Sequence, residues 1–386
     1  MILMFIMLIN ALAYGTIIPL LYPYSQRFGI GPAGLGILFA SFSLAQFLAT
    51  PVLGRLSDKY GRKPILLICL LGTSVSLALF ASATSIPMLF FARIIDGVTG
   101  GNISVAQAVI ADSTSGEERA KSFAMLGASF GVGFTFGPAL GGLVGSFGLA
   151  APFWLASGLA LAGTFLGVII LRETLPPEKR QTSHQPIFHF RSLFEALFKP
   201  LTGIVLFLSL ISSLAQNAFY IGFQAFTNDV LRLSPAQIGL LFTMFGVLNI
   251  FTQMIGVRIL LNRVKSKIAI VTASMLIPPI FMIGFAFAHN LTVFIPLMLL
   301  FGIFISPLVP VLTALLSERT KAEDQGIVLG INQSYTSLGQ IGGPLSAGVA
   351  AKAFGTSAVF ALSAGFLLIG GIASGFLHRE KRKFDF

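Results

Sequence analysis

The chain has 386 residues, 55% of them hydrophobic and 10% charged, with a formal net charge of +11 and a mean hydropathy of +0.88. That much apolar surface exceeds what the interior of a water-soluble protein takes in, which excludes a soluble globular enzyme or binding module. The single cysteine, Cys69, excludes an internal disulfide.

An α-helix needs about 20 mostly apolar residues to cross a hydrocarbon layer about 30 Å thick, and uncharged stretches of that length fill the chain. Residues 1 to 26 and 28 to 54 hold no Asp, Glu, Lys or Arg and predict the first two spans. The stretch 64 to 111 is two spans long, with Pro87 after the expected turn and only Arg93 and Asp96 charged. Residues 122 to 171 form an uncharged double run that breaks between Ser146 and Pro152. Single spans follow at 201 to 228 and 233 to 257, then a double run at 268 to 317 broken at His289 to Leu291, then spans at 325 to 351 and 353 to 378. The total is twelve, so the expected class is an all-α membrane protein. The N-terminus lacks the basic region and cleavage site of a secretory signal, and residues 1 to 23 are expected to remain as a helix.

The longest hydrophilic segment, Arg172 to Pro200, carries Pro176, Pro177 and Pro186 and predicts a linker between six-helix bundles at 1–171 and 201–378, with a basic tail at 379–386. Basic residues decide the orientation, because short Lys- and Arg-bearing loops stay cytoplasmic. With the N-terminus inside, inner loops and tail hold 21 of the 25 basic residues; Arg27, Arg232 and Lys352 fall outside and Arg93 within a span. Both termini and the linker are thus expected in the cytoplasm, where the basic residues face anionic lipid. The +11 charge reads as topology, and nucleic acid is not an expected partner. The halves also repeat at an offset of 206. Glu117 and Glu118 meet Glu323 and Asp324, Gly133 meets Gly339, Gly137-Pro138 meets Gly343-Pro344, and Gly142 meets Gly348. Parallel halves of this kind place a substrate site near the membrane midplane.

Three segments carry candidate chemistry. Between the second and third spans runs Gly-Arg-Leu-Ser-Asp-Lys-Tyr-Gly-Arg-Lys-Pro, residues 54 to 64. Gly54 ends a span without a side chain and allows another helix to approach its backbone. Asp58 places an anion at the membrane edge, where it faces either a helix N-terminus or a basic residue such as Arg119; alternatively the loop's cations are topology anchors alone. In the fourth span Arg93, Asp96, Gly97, Gly100, Ser104, Gln107 and Ala111 share one face. A lone charge at that depth costs at least about 2.5 kcal/mol, so Arg93 and Asp96 are either a structural salt bridge or a proton-coupling pair. In the fifth span Gly133, Gly137, Gly141 and Gly145 recur every four residues beside Pro138, a stripe that lets backbones touch and a point where the helix bends.

These segments resemble the major facilitator superfamily (MFS), and within it the twelve-span drug:proton antiporters similar to the tetracycline efflux group. Gly54, Asp58, Gly61, Arg62 and Lys63 match the family's loop motif, Arg93 to Gly101 a fourth-span motif, and Gly127 to Gly142 a motif associated with antiporters. The resemblance implies that the loop latches the cytoplasmic gate shut and that the fifth-span motif is a leak-proof joint between the halves, though close packing alone also explains the stripe. One departure stands out: nine residues before Pro19, where the tetracycline group has an acid, this chain has Asn10.

Asn10 and Tyr14 in the first span and Gln107 in the fourth are expected to line a substrate cavity. Gln216, Tyr220, Phe223 and Gln224 join them from the seventh span, and Gln333, Ser337 and Gln340 from the eleventh. Amides beside aromatics suit an amphiphilic organic ligand. The leading expectation is a monomeric transporter exchanging a small amphiphilic molecule for protons in a bacterial inner membrane. The alternatives are same-fold transport of a metabolite, sugar or siderophore and, remotely, a membrane enzyme. The four histidines fall in loops or at span ends, no metal-ligand set converges and no phosphate-binding glycine-lysine loop is present, so no cofactor is expected.

Overall fold

The computed structural model describes residues 2–180, 195–198, 201–264, 266–318, 320 and 325–384. Most of the predicted linker and the end of the basic tail lie outside these residues, as do Glu323 and Asp324 of the predicted repeat. In chain order the helices are α1 (Ile2–Gln26), α2 (Pro32–Tyr60), α3 (Arg62–Ala81), α4 (Ile86–Ser113), α5 (Gly116–Gly145), α6 (Ala151–Ile170), α7 (Thr202–Asp229), α8 (Pro235–Arg263), α9 (Lys267–Ala286), α10 (Leu291–Glu318), α11 (Gln325–Phe354) and α12 (Ala358–Phe384). Eleven of them are long and apolar enough to cross a membrane. The other, α11, has the length at 30 residues, but Gln333, Thr336, Gln340 and its glycines dilute its apolar side chains. The architecture is compatible with twelve spans, and the chain is an integral membrane protein.

The helix ends follow from local chemistry. Proline opens α2, α6 and α8 at or beside the first helical position, where its missing N–H costs nothing. Asn290 caps α10 by accepting from Val293 N at 3.0 Å, and Ser266 caps α9 through Ala269 N at 3.3 Å. Two spans are interrupted at matching places: α4 at Gly101, and α10 at Ser306 and Pro307. The eighth span instead contains a π-turn at Thr252–Gly256.

The chain divides into two compact units, one of Met1–Gly31, Ser41–Phe188 and Leu233–Gly246, the other of Pro32–Ala40, His189–Arg232 and Val247–Phe386. This differs from halves cut at the linker by the first turns of α2 and α8. Glycine explains the difference. Gly239 lies against the carbonyl of Pro138 within the first unit, and Gly36 against that of Pro344 within the second, each so close that a Cβ would overlap the oxygen.

In the first unit the glycine stripe of α5 seats α1: Gly133 lies on Ala11, Gly137 on Gly15 and Gly141 on Thr16. The expected joint is therefore made to a helix of the same half, and Gly142 is the residue that meets Pro235 and Gly239 of α8. In the second unit Gly339 lies on Ser213 and Gly343 on Leu214 and Ala218 of α7. The repeat extends to residues the sequence comparison did not pair. Tyr24, Phe80 and Phe153 cluster with ring centroids 4.7 to 5.4 Å apart. In the second unit Phe226 and Phe285 lie 5.2 and 5.3 Å from Phe360.

Because a Cβ at Gly141 would overlap Thr16 O while Gly127 has open space beside it among the described residues, the two glycines respond differently to alanine. Gly141→Ala is expected to lose about 1–3 kcal/mol of stability by overpacking, read as a lower melting temperature in detergent. Gly127→Ala is expected to melt like the parent. Equal melting of both variants would show that the stripe does not set the α1–α5 contact.

Candidate functional site

Two polar constellations sit in the first unit. The deeper one is built on α4, where Arg93 and Asp96 are one turn apart and only 5% and 1% exposed. Arg93 Nη1 donates to Asp96 Oδ2 at 2.6 Å. The Tyr14 hydroxyl, from α1, donates to the other carboxylate oxygen, Oδ1, at 2.9 Å. The Arg93 guanidinium lies over the ring of Phe42 from α2, 4.3 Å from its centroid, and that ring meets Tyr14 edge to face at 5.8 Å. Thr73 and Thr99 pair beside the site at 3.2 Å.

Small residues make this approach possible. A Cβ on Gly97 would strike Phe42 O, and one on Gly100 would crowd the Tyr14 hydroxyl at 2.9 Å. Gln46 Nε2 donates to Gly100 O at 2.8 Å, and Ser104 Oγ donates to Gly101 O at 2.9 Å, which satisfies carbonyls at the α4 break. The predicted polar face of α4 is covered by α2 and α1 from Arg93 to Gly100, whereas Gln107 farther along it is exposed. Removing one partner of a buried pair leaves an uncompensated charge, at a cost of about 3–5 kcal/mol.

The second constellation is the loop between α2 and α3. Gly61 takes φ +106°, a conformation that side chains rarely adopt, and a Cβ there would also overlap Glu173. The turn delivers Arg62 between two carboxylates. Its Nη1 lies 2.6 Å from Asp58 Oδ1 and its Nε 2.8 Å from Asp112 Oδ2, at the end of α4. The same Nη1 donates to Ser57 Oγ at 2.7 Å. Asp58 therefore meets Arg62, whereas Arg119, its suggested partner, donates to Ala111 O at 2.8 Å and Thr114 O at 2.9 Å and caps the end of α4. Gly54 serves no close helix approach: nothing among the described residues lies within 4 Å of the position a Cβ would take. Its carbonyl accepts from Ser57 Oγ at 2.6 Å.

Sequence reasoning missed Glu173, just past α6. Its carboxylate accepts from Arg62 N at 3.0 Å and Lys63 N at 3.2 Å, so it caps α3. It also accepts from Thr174 N and Leu175 N at 2.9 Å each. Burial alone would raise its pKa, but the four backbone donors outweigh that and hold the carboxyl below its ordinary 4.5. Lys63 Nζ donates to Val168 O at 2.9 Å, a second tie to the end of α6. Asp112, Tyr14 and Phe42 were missed in these roles as well. The signal for Asp112 lay in the repeat, because Lys267 and Glu318 form the matching ion pair in the second unit.

The predicted cavity residues separate by exposure. Gln107, Gln216 and Gln333 are exposed, and Tyr220, Ser337 and Gln340 half-buried. Asn10 and Gln224 are instead buried, at 2% and 0% exposure. Phe223 is buried among rings, 5.8 Å from Phe219 and 5.7 Å from Phe294. These three line no open surface in this structure. Among the described residues no group of three or more His, Cys, Asp or Glu is placed to hold a metal ion.

The family described as Major Facilitator Superfamily matches residues 3–228 and 205–384. The chain is 35% identical over 317 residues to "Tetracycline resistance protein, class C" of Escherichia coli, covering 80% of this chain and 78% of that one. It is 30% identical over 380 residues to "Multidrug resistance protein 2" of Bacillus subtilis (strain 168), covering 96% and 92%. Among solved structures, a bacterial homolog of the human lysosomal transporter Spinster superposes with a TM-score of 0.82 at 15% identity, covering 99% of this chain and 96% of that one, a likeness of fold alone.

The Glu173 clamp gives a pH-dependent expectation. A carboxylate whose folded pKa is depressed contributes stability that is complete above its ordinary 4.5 and is lost as the pH falls through the depressed value. Glu173→Gln should melt below the parent at pH 7, by about 1 kcal/mol or less because the group is exposed. The two melting temperatures should converge as the pH is taken well below 4.5. A difference that persists unchanged in acid would assign the effect to something other than the carboxylate.

Proposed function

The chain belongs to the Major Facilitator Superfamily, and from that premise we propose that it exports an amphiphilic organic compound across the bacterial inner membrane in exchange for protons. It is a transporter of small molecules and not an enzyme. The observation that carries the finer reading is the buried Arg93–Asp96 pair. Among the described residues Asp96 is the one acid placed within a span away from its ends, since Asn10 stands where the tetracycline group has its acid. A carboxylate kept in hydrocarbon by a partner cation is a place where one proton changes the balance of the fold.

In this reading Asp96 takes up the proton and Arg93 responds to its neutralisation. The Asp58–Arg62–Asp112 triad latches the loop end of the first bundle, and breaking it accompanies opening on the cytoplasmic side. The names of the relatives, resistance to tetracycline and to multiple drugs, support an amphiphilic cargo. In the second unit the exposed amides of Gln216 and Gln333, with half-buried Tyr220, Ser337 and Gln340, are its proposed contacts. Both termini lie in the cytoplasm by the basic-residue rule, and the protein works as a monomer against anionic lipid.

Everted membrane vesicles supplied with external tetracycline or a quinolone, with and without a proton gradient, test the proposal. The parent should accumulate at least one of these probes only when the gradient is present, and Asp96→Asn should abolish that dependence. If the variant remains as gradient-dependent as the parent, Asp96 is not the carrier. Gradient-independent movement of both probes by the parent would end the antiport reading.

A further inference from the structure

The Arg93–Asp96 pair is more than a pair. Each carboxylate oxygen of Asp96 has its own donor, Arg93 Nη1 on Oδ2 at 2.6 Å and the Tyr14 hydroxyl on Oδ1 at 2.9 Å. The partners of the guanidinium include two of different kind, the carboxylate and the face of Phe42 at 4.3 Å. Among the described residues the charged or titratable groups facing Asp96 are Arg93 on its own helix and Tyr14 from α1. From α3 the Ser76 hydroxyl meets Asp96 and the Thr73 hydroxyl meets Tyr14, and from α2 the ring of Phe42 meets Arg93.

A proton arriving on Asp96 binds one carboxylate oxygen, and no other bond need be made or broken covalently. The site then changes from net neutral to net positive, with the charge on Arg93. In an apolar interior that charge needs a partner at once. The face of an aromatic ring is such a partner, and it works best where water is excluded. A hydroxyl that donates to a carboxylate opposes the same protonation, because it favours the charged form.

We propose that Tyr14 and Phe42 are positioning residues for proton uptake at Asp96, Tyr14 holding the carboxylate in its ionised form and Phe42, whose face the Arg93 guanidinium already meets, keeping hold of that guanidinium once the carboxylate is neutral. The inference rests on the reading of Asp96 as the proton carrier. It assigns the two neighbours opposite effects on the pH at which uptake occurs. Neither residue belongs to the motifs visible in the sequence, and neither need touch the cargo.

The test is infrared difference spectroscopy on the full-length protein in liposomes, without any cargo. The carboxylic C=O band of Asp96 is identified by its loss in Asp96→Asn and titrated with pH. Tyr14→Phe removes a hydrogen bond to the charged form, and its midpoint should move up by about one pH unit or more. Phe42→Leu removes the partner that remains to the guanidinium when Asp96 is neutral, and its midpoint should move down. Phe42→Trp, which keeps a ring face, should restore the parent value and guards against a merely misfolded variant. Any other pair of signs for Tyr14→Phe and Phe42→Leu overturns the inference while leaving Asp96 as the carrier. A spectrum in which no titrating band is lost in Asp96→Asn overturns the carrier reading together with it.

Discussion

Hydrocarbon offers no hydrogen bonds, and the structure follows from that one constraint. Backbone amides and carbonyls must find partners within their own segment, which makes each span a helix. Where a helix is interrupted, side chains take over. At the α4 break Gln46 donates to Gly100 O and Ser104 to Gly101 O, and at the α10 break Ser306 Oγ donates to Gly302 O and Asn249 Oδ1. The same constraint governs charge. Arg93 and Asp96 persist within a span because they pair with each other, with Tyr14 on the carboxylate and Phe42 on the guanidinium beside them.

With lipid tails as apolar as leucine, little hydrophobic force remains to press helices together, and close van der Waals contact does more of the work. This explains why glycine appears where it does. Gly133, Gly137 and Gly141 bring α5 onto α1, and Gly97 brings α4 onto α2. The second contact has a chemical consequence, because only a helix pressed that closely on α4 places the Phe42 ring over Arg93. Packing and site chemistry are here one arrangement of residues.

Much of this was legible in the sequence, because the signals were compositional or periodic. Charge-free runs gave the spans, and the four-residue glycine spacing gave a packing stripe. The i, i+3 spacing of Arg93 and Asp96 gave their pairing. Other features depend on which surfaces meet, and helical periodicity does not record that. The polar face of α4 reads equally well as a cavity wall or as a seat for α2. Tyr14 reads as a cavity residue until α1 is placed beside α4. Gly54 reads as a packing glycine, yet its neighbour position is open, and Asp58 has a nearer cation than Arg119 in Arg62, four residues along its own chain. Glu173 was invisible for another reason: it acts through backbone N–H groups, which carry no residue identity.

The internal repeat separates scaffold from chemistry. The units share the glycine-on-proline contacts, the aromatic clusters, the breaks in α4 and α10, and an ion pair from the start of one helix to the end of the next, Arg62 with Asp112 and Lys267 with Glu318. Features present twice are what a six-helix bundle needs in order to fold. Against that background two features stand in the first unit alone among the described residues. The Asp58–Arg62–Asp112 triad adds a second carboxylate where the offset of the repeat places the apolar Val264. At the matching positions of α10 the buried Arg93–Asp96 pair has Leu299 and Gly302 by the same offset. A stabilising need common to both bundles would have left traces in both. Charge confined to one of them, at a cost in desolvation that the other avoids, is better explained by work that only one bundle performs.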